Sequence, residues 1–191
     1  MHHHNPEFRC CPVCGGPVHL KVVKSGEPER RVCSACDFVL YLDPKVVACT
    51  VLEVDKKIVL LKRAIKPEKG KWVLPGGYVD RGEPVPEAAV REALEECGLE
   101  IRIKSLLGVY SYTGYIPVVI VYIAEAVGGA LFSGDETWEA KLFSESDIPW
   151  KDLAFRSTTD ALEDYFFPDL SQPFTGRISG NVQHGCTRNK P

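Results

Sequence analysis

One segment, Gly77 to Leu99, reads GYVDRGEPVPEAAVREALEECGL and limits what this chain can become more than any other. Glu83 stands in a turn, Arg91, Glu92, Glu95 and Glu96 crowd one helical stretch, and Gly98 closes it. At about 100° of rotation per residue, Glu96 falls roughly 40° and Glu95 roughly −60° from Glu92, so three carboxylates share one narrow face. Arg91, at roughly −100°, borders Glu95. Ala93, Cys97, Val90 and Leu94 lie between roughly +100° and +200°, an apolar stripe expected to pack on a sheet with the acids pointing away from the core. Pro84 and Pro86 sit at the entrance, where a missing amide is harmless, so the helix is expected from about Pro86 to Cys97 with Gly98 as its end.

That placement makes Glu95 and Glu96 last-turn residues. Acids there face the negative end of the helix dipole at a cost of about 0.3–1 kcal/mol each, and like charges one turn apart add a few tenths. A divalent cation reverses both penalties, because magnesium takes a few carboxylates and fills its other positions with water and phosphate oxygens. A solvated acidic face is the simpler reading of the helix alone, since Glu is a good helix former and surface acid clusters are common.

The complete run is Gly77, five residues, Glu83, seven residues, then Arg91-Glu92-Ala93-Leu94-Glu95-Glu96-Cys97-Gly98-Leu99. It resembles the Nudix box at each of its fixed positions, and the resemblance extends over about Asp43 to Phe167. It implies an α/β/α sandwich with a mixed sheet, and a hydrolase that splits a diphosphate joining a nucleoside to another group. It further implies magnesium or manganese held by Glu92, Glu95 and Glu96 with the carbonyl of Gly76, while Arg91 and Glu83 tie loop to helix. Such cations neutralise a diphosphate, polarise the phosphorus under attack and acidify a bound water. One glutamate must stay free to take a proton. Glu95 within the helix, and Glu136 or Glu139 in the later stretch GDETWEAKLF, are the candidates.

A second signal stands near the start. Cys11-Pro12-Val13-Cys14-Gly15 and Cys33-Ser34-Ala35-Cys36 are two knuckles separated by eighteen residues, which fits a tetrahedral structural zinc held by four thiolates. No secretory segment precedes the pairs, so a reducing, cytoplasmic setting is expected rather than a disulfide framework. Cys10 gives no two-residue knuckle and is read as a bystander. So small a segment depends on the metal for its fold. Lys21, Lys24, Arg30 and Arg31 raise the question of nucleic acid, but Glu27 and Glu29 dilute the charge and no aromatic side chain lies among them, which argues against that partner.

The hydrophobic content of 45% excludes general disorder, and 191 residues suffice for one sizeable core plus an appendage. A net charge of −3 disfavours a broad phosphate-binding surface, so attraction for a polyphosphate has to be local or carried by metal. The longest apolar run, Ile116 to Ala124, contains Pro117 and is too short to cross a bilayer. The expected organisation is a flexible terminus at 1–8, a zinc ribbon at 9–42, a Nudix domain at 43–167 and a loose tail at 168–191 that contains Cys186. The histidines at 2–4 need no function.

Strands are expected at Lys45 to Val54, Ile58 to Lys62, Trp72 to Leu74, Ile101 to Tyr112, Val118 to Ala126 and Ala140 to Phe143. A second helix is expected from about Thr158 to Phe167, packing through Ala161, Leu162, Tyr165 and Phe166. Strands interleaved with helices make a mixed sheet between helices the natural architecture.

The box handles phosphates, so substrate choice rests on other segments. A ribbon before a Nudix domain is similar to two groups, the NADH pyrophosphatases and a set acting on ADP-ribose or FAD. The first group carries a Ser-Gln-Pro-Trp-Pro-Phe type segment, from which Tyr110 to Pro117 departs. Lys62-Arg63, Gly70-Lys71-Trp72 and Leu74 to Tyr78 look more like the second, which makes ADP-ribose or FAD the expected substrate. Tyr112 and Tyr115 are candidates to stack on a flat ring, and Arg63 and Lys71 to approach phosphate oxygens. Tyr110 and Trp72 read as core. Some Nudix folds are non-catalytic sensors of ADP-ribose-type ligands, but those lose a box glutamate or carry a DNA-binding domain, and this chain does neither. The resemblance also admits a homodimer.

Overall fold

The computed structural model describes residues 8–168 and the two-residue strand at Ile178–Ser179. Apart from those, the expected flexible terminus, the histidines at 2–4, the loose tail and Cys186 lie outside the described residues. The chain divides into two compact units, 1–44 and 45–191. No helix among the described residues is long and apolar enough to cross a membrane.

The first unit is a small antiparallel sheet of β1 (Val18–Lys21), β2 (Arg30–Cys33) and β3 (Val39–Leu40). Its apolar side chains stay largely in water: Val13 is 66% and Leu20 56% exposed, and among the described residues of this unit only Val32 and the cysteines Cys11 and Cys33 are buried. Hydrophobic burial alone cannot hold such a unit. The cysteines supply what the core lacks. Each knuckle turns back through a left-handed residue, Gly15 at φ 74° and Asp37 at φ 56°. Each also aims backbone amides at sulfur, from Val13 to Cys11 at 3.4 Å, Gly16 to Cys14 at 3.4 Å and Ala35 to Cys33 at 3.3 Å.

The sulfurs of Cys11 and Cys36 stand 3.8 Å apart and those of Cys14 and Cys33 3.5 Å, with all four within 4.8 Å of one another. Four thiolates at Zn–S distances of about 2.3 Å would stand about 3.8 Å apart, so the set fits a structural zinc. The Ala35 amide draws the Cys33 thiol down to about 7. Cys36 is pushed up to about 12, because the sulfurs of Cys14, Cys33 and Cys11 together with burial outweigh the Phe38 amide. Four thiols this close cannot all ionise without a cation between them. Cys10 is exposed and stands outside the set.

The second unit is built on β4 (Val46–Val54), β5 (Lys57–Arg63), β6 (Trp72–Val73), β7 (Gly76–Tyr78), α1 (Val85–Cys97), β8 (Leu99–Tyr112), β9 (Val118–Gly129), β10 (Thr137–Phe143), α2 (Arg156–Phe166) and β11 (Ile178–Ser179). The main sheet runs β10-β5-β4-β9-β8-β11, with β6 on β5 and β7 on β4. β4 and β9 are parallel from Val46 opposite Val118 to Glu53 opposite Glu125, whereas β5 and β10 and also β8 and β9 are antiparallel. The sheet is therefore mixed, as the sequence implied.

β4 is buried without interruption from Ala48 to Leu52, because alternate residues serve opposite faces. Cys49 and Val51 join Tyr110, Phe143 and the α2 residues Ala161 and Leu162, while Leu52 joins Ala93 and Cys97 of α1. The result is an α/β/α sandwich. Strand ends run past the expected limits at β8, β9 and β10, and β7 was not foreseen, because two glycines give no strand pattern of their own.

The expected face of α1 is corrected. Val90 and Leu94 are 38% and 50% exposed, and the buried residues are Ala88, Ala89, Ala93 and Cys97. On the wheel that set is centred roughly 50° from Glu92, on the side of Glu96, so the inward face takes in both carboxylates. Small side chains let this helix lie close against the sheet, whereas bulkier Val90 and Leu94 would hold it off. Glu95 points away from the core as expected, but Glu92 and Glu96 do not and are only partly exposed.

Replacing Cys33 with Ser is expected to release about one zinc per chain by elemental analysis. It should also open residues 9–42 to proteolysis while the cooperative melting of the second unit persists.

Candidate functional site

The turn at Leu74-Pro75-Gly76-Gly77 is fastened to the middle of the sheet. The Thr50 amide donates to the Pro75 carbonyl at 2.9 Å, and β7 lies antiparallel on β4 with Gly76 opposite Cys49 and Gly77 opposite Ala48. Gly76 has φ +150°, and a Cβ there would stand 2.6 Å from the Cα of Cys49. A Cβ at Gly77 would stand 2.5 Å from the Glu92 carboxylate carbon. Two absent side chains thus make the bed in which the helix acids lie. The Gly76 amide donates to Glu96 Oε2 at 2.8 Å.

Arg91 knots the loop to the helix. Its Nε donates to Glu83 Oε1 at 2.8 Å and its Nη2 to Glu83 Oε2 at 2.9 Å, a two-pronged pairing suited to a planar guanidinium. Nη2 also reaches the Tyr78 carbonyl at 3.1 Å, and Nη1 serves both Glu92 Oε1 at 2.7 Å and Glu95 Oε2 at 3.1 Å. The Asp80 amide completes Glu83 at 2.9 Å. Arg91, followed by that amide, holds the Glu83 carboxyl down at about 2.

Glu92 and Glu96 behave in the opposite way. Burial lifts the proton affinity of Glu92 against the pull of Arg91. Burial, the charge of Glu92 and that of Glu136 push Glu96 up to about 7, opposed by the Gly76 amide and by Arg63. Burial, then Glu96 and Glu92, also raise the Cys49 thiol, so this cysteine is a protonated, inert floor beneath the acids.

Charge is therefore stored in a partly dry place with oxygen donors only, which suits a hard divalent cation such as magnesium or manganese. The carboxylates are set apart by Arg91 and Gly76: among the described residues, only the four cysteines bring three or more such ligand atoms within 4.8 Å of one another.

The other expected site residues fall into two groups. Arg63 lies near Glu96, with its Nε donating to the Pro67 carbonyl at 2.9 Å and its guanidinium 5.0 Å above the Phe155 ring. Glu136 is held close by the Ala64 amide on its carbonyl at 2.8 Å, and the Gly134 amide bonds the Glu96 carbonyl at 3.0 Å. Glu95 is exposed on the Arg91 side. Glu139 lies on β10 opposite Lys62.

Lys71 is taken up by Glu68 at 2.6 Å. Tyr112 packs against the α2 core, its hydroxyl on Asp160 at 2.9 Å and its ring 4.8 Å beneath Arg156. Tyr115 stands edge-on to it at 6.0 Å and is 52% exposed. Tyr110 and Trp72 are buried. Sequence reasoning missed Phe155 beneath Arg63 and the structural task of Gly77. The Gly-Gly pair was the available signal for the second, and the first pairing joins residues far apart in the chain.

Replacing Gly77 with Ala is expected to leave the fold intact, because the atoms nearest the new methyl are those of the Glu92 carboxylate, the far end of a flexible side chain. Displacing Glu92 should raise the magnesium concentration needed for half-maximal activity about tenfold. The matching change at Gly76 strikes the backbone of β4 and should lower the melting temperature instead.

Residues 42–164 match the family model described as the NUDIX domain, and residues 9–42 match the zinc-ribbon model described as Nudix N-terminal. The chain is 34% identical to a NUDIX hydrolase from Nitrosomonas europaea of known crystal structure, with a TM-score of 0.82 over 90% of this chain and 97% of that one. It is 46% identical over 114 residues to a protein of Methanocaldococcus jannaschii named ADP-ribose pyrophosphatase, covering 58% of this chain and 68% of that protein. Over 149 residues it is 26% identical to the NAD-capped RNA hydrolase NudC of Vibrio vulnificus, covering 77% of this chain and 55% of that relative's length. An intact box on the expected fold, matched over most of the second unit, leaves one assignment: the chain belongs to the Nudix family of pyrophosphohydrolases.

Proposed function

We propose that this chain hydrolyses the diphosphate bridge of ADP-ribose or FAD, giving AMP and a second monophosphate. The observation that carries this reading is the acid bed itself, in which Glu96 is pressed between the Gly76 amide, Glu92 and Glu136, with the charge of Arg63 only partly offsetting the burial. Likeness to the archaeal protein named ADP-ribose pyrophosphatase supports the choice of substrate. In this reading residues 43–167 are the catalytic domain and 9–42 a zinc-held appendage.

Glu92, Glu95, Glu96 and the Gly76 carbonyl would hold magnesium or manganese. Those ions, when bound, neutralise the diphosphate and acidify the attacking water. Glu83 and Arg91 keep loop and helix in register. Arg63, steadied by Phe155 and the Pro67 carbonyl, offers its terminal nitrogens to a phosphate oxygen near Glu96.

Glu136 is assigned as the proton acceptor. Glu95 is engaged by Arg91 and Glu139 sits past a break in the β10 ladder, whereas Glu136 is close enough to Glu96 to raise its proton affinity. Lys71, committed to Glu68, and Tyr112, committed to Asp160, have weaker claims on substrate than Arg63. A second reading, NADH or NAD-capped ends as substrate, is favoured by the likeness to NudC, which extends over 77% of this chain.

Incubation with magnesium and ADP-ribose, FAD, NADH, a nucleotide sugar or a dinucleoside polyphosphate separates the readings. AMP release from ADP-ribose or FAD is expected. Rapid NADH cleavage with inert ADP-ribose and FAD would favour the second reading, and no monophosphate from any of them would favour a ligand sensor.

Replacing Glu136 with Gln should lower kcat by about two to four orders of magnitude with magnesium binding retained, while the same change at Glu139 has little effect. Glu96→Gln should abolish both turnover and the magnesium-induced rise in melting temperature, yet stabilise the metal-free protein. Glu96 binds its proton more tightly when folded, at about 7 against 4.5, so that stabilisation is largest above pH 7 and fades as pH falls toward 4.5.

A further inference from the structure

We infer that Trp138 is the platform on which the flat ring of the substrate lies, an inference that rests on the proposed pyrophosphohydrolase activity and adds to it a residue that recognises the base or flavin end. β10 pairs with β5 through Thr137 opposite Arg63 and Glu139 opposite Lys62. The ladder slips by one residue between those pairs, so Trp138 is the extra residue of a bulge. A bulge leaves its residue out of the ladder and redirects its side chain, and bulges gather beside binding sites.

The consequence here is an indole 56% exposed, in contrast to Trp72, which is only 9% exposed. So large an apolar ring is normally drawn into a core, where it repays the most water-exposed area. The Trp138 ring is nevertheless held in place. Lys69 Nζ stands 4.9 Å from its centroid, and Cζ3 lies 3.6 Å from where a Cβ of Gly70 would be. Gly70, at φ +87°, donates its amide to the Arg63 carbonyl at 2.8 Å.

The strand neighbour of Trp138, Thr137, is paired with Arg63, and the next residue back, Glu136, accepts the Ala64 amide on its carbonyl at 2.8 Å. The exposed ring therefore springs from the residue of β10 next to the cross-strand partner of the proposed phosphate-binding arginine. A flat ring carried on the sugar of a nucleoside diphosphate gains stacking area on an indole regardless of its hydrogen-bonding edge. The nearby ammonium of Lys69 adds attraction for an electron-rich face. Adenine and isoalloxazine both meet that description.

Two measurements test this. For whichever nucleoside diphosphate derivative the protein cleaves, Trp138→Ala should raise KM about tenfold with kcat little changed, and Trp138→Phe should restore most of the loss. AMP titrated into the metal-free protein should quench tryptophan fluorescence in the wild type, and the quench should vanish in Trp138→Phe, which keeps Trp72 and Trp150 as internal references. An unchanged KM in the alanine variant, a fall in kcat alone, or a quench that survives in the phenylalanine variant would overturn the inference and leave the hydrolase reading standing. The AMP titration reads binding without turnover, so it decides the matter even where no nucleoside diphosphate derivative is cleaved.

Discussion

The hydrogen bond from the Gly76 amide to Glu96 joins the sheet to the helix, and the rest of the site depends on it. Glu96 belongs to a helix whose inward face is made of alanines and a cysteine, and Gly76 belongs to a three-residue strand stitched to β4. Neither partner is placed by its own segment. The helix can come this close only because Ala88, Ala89 and Ala93 are small, and the loop can meet it only because positions 76 and 77 lack side chains. Charge burial opposes the arrangement, which gives a bound cation something to relieve.

Arg91 balances that opposition within one helix. It neutralises Glu83 outright and shares a single nitrogen between Glu92 and Glu95. The carboxyl most exposed to its influence is held low, and the one turned from it, Glu96, is lifted by burial. Glu83 and Glu96, two acids of one loop-and-helix segment, thereby acquire opposite tendencies toward protons. A spacing that looks like a uniform acidic face is in practice a gradient, from fully ionised at the loop to reluctant at the sheet.

Much of this was legible in the chain itself. The Cys11-Cys14 and Cys33-Cys36 spacing announced a ribbon because two knuckles constrain geometry locally, and the box run announced the mixed-sheet fold by resemblance. The inward face of α1 was misjudged at Val90 and Leu94 because hydrophobicity was weighed without volume, and closeness of packing favoured alanine instead. Tyr112 was read by type as a stacking ring, while its hydroxyl is engaged by Asp160 on a helix far along the chain. Glu136 could be named but not ranked, since only the fold brings its segment against the end of α1. The aromatic side chain missing from the basic stretch of the ribbon is supplied across the fold, where Arg30 lies 5.4 Å above Tyr41.

The attachment of β7 to β4 ties the fate of the acid bed to the most protected part of the sheet. Gly76 and Gly77 lie opposite Cys49 and Ala48 on a strand whose residues Ala48 to Leu52 are sealed on both faces, and the Thr50 amide on the Pro75 carbonyl and the Val79 amide on the Val46 carbonyl bracket them. Local fraying, the usual source of mobility in binding loops, therefore has little purchase here. The bed is rigid by inheritance, so adaptation to differently sized leaving groups falls to the outlying segments, above all the 64–71 connection that borders the indole.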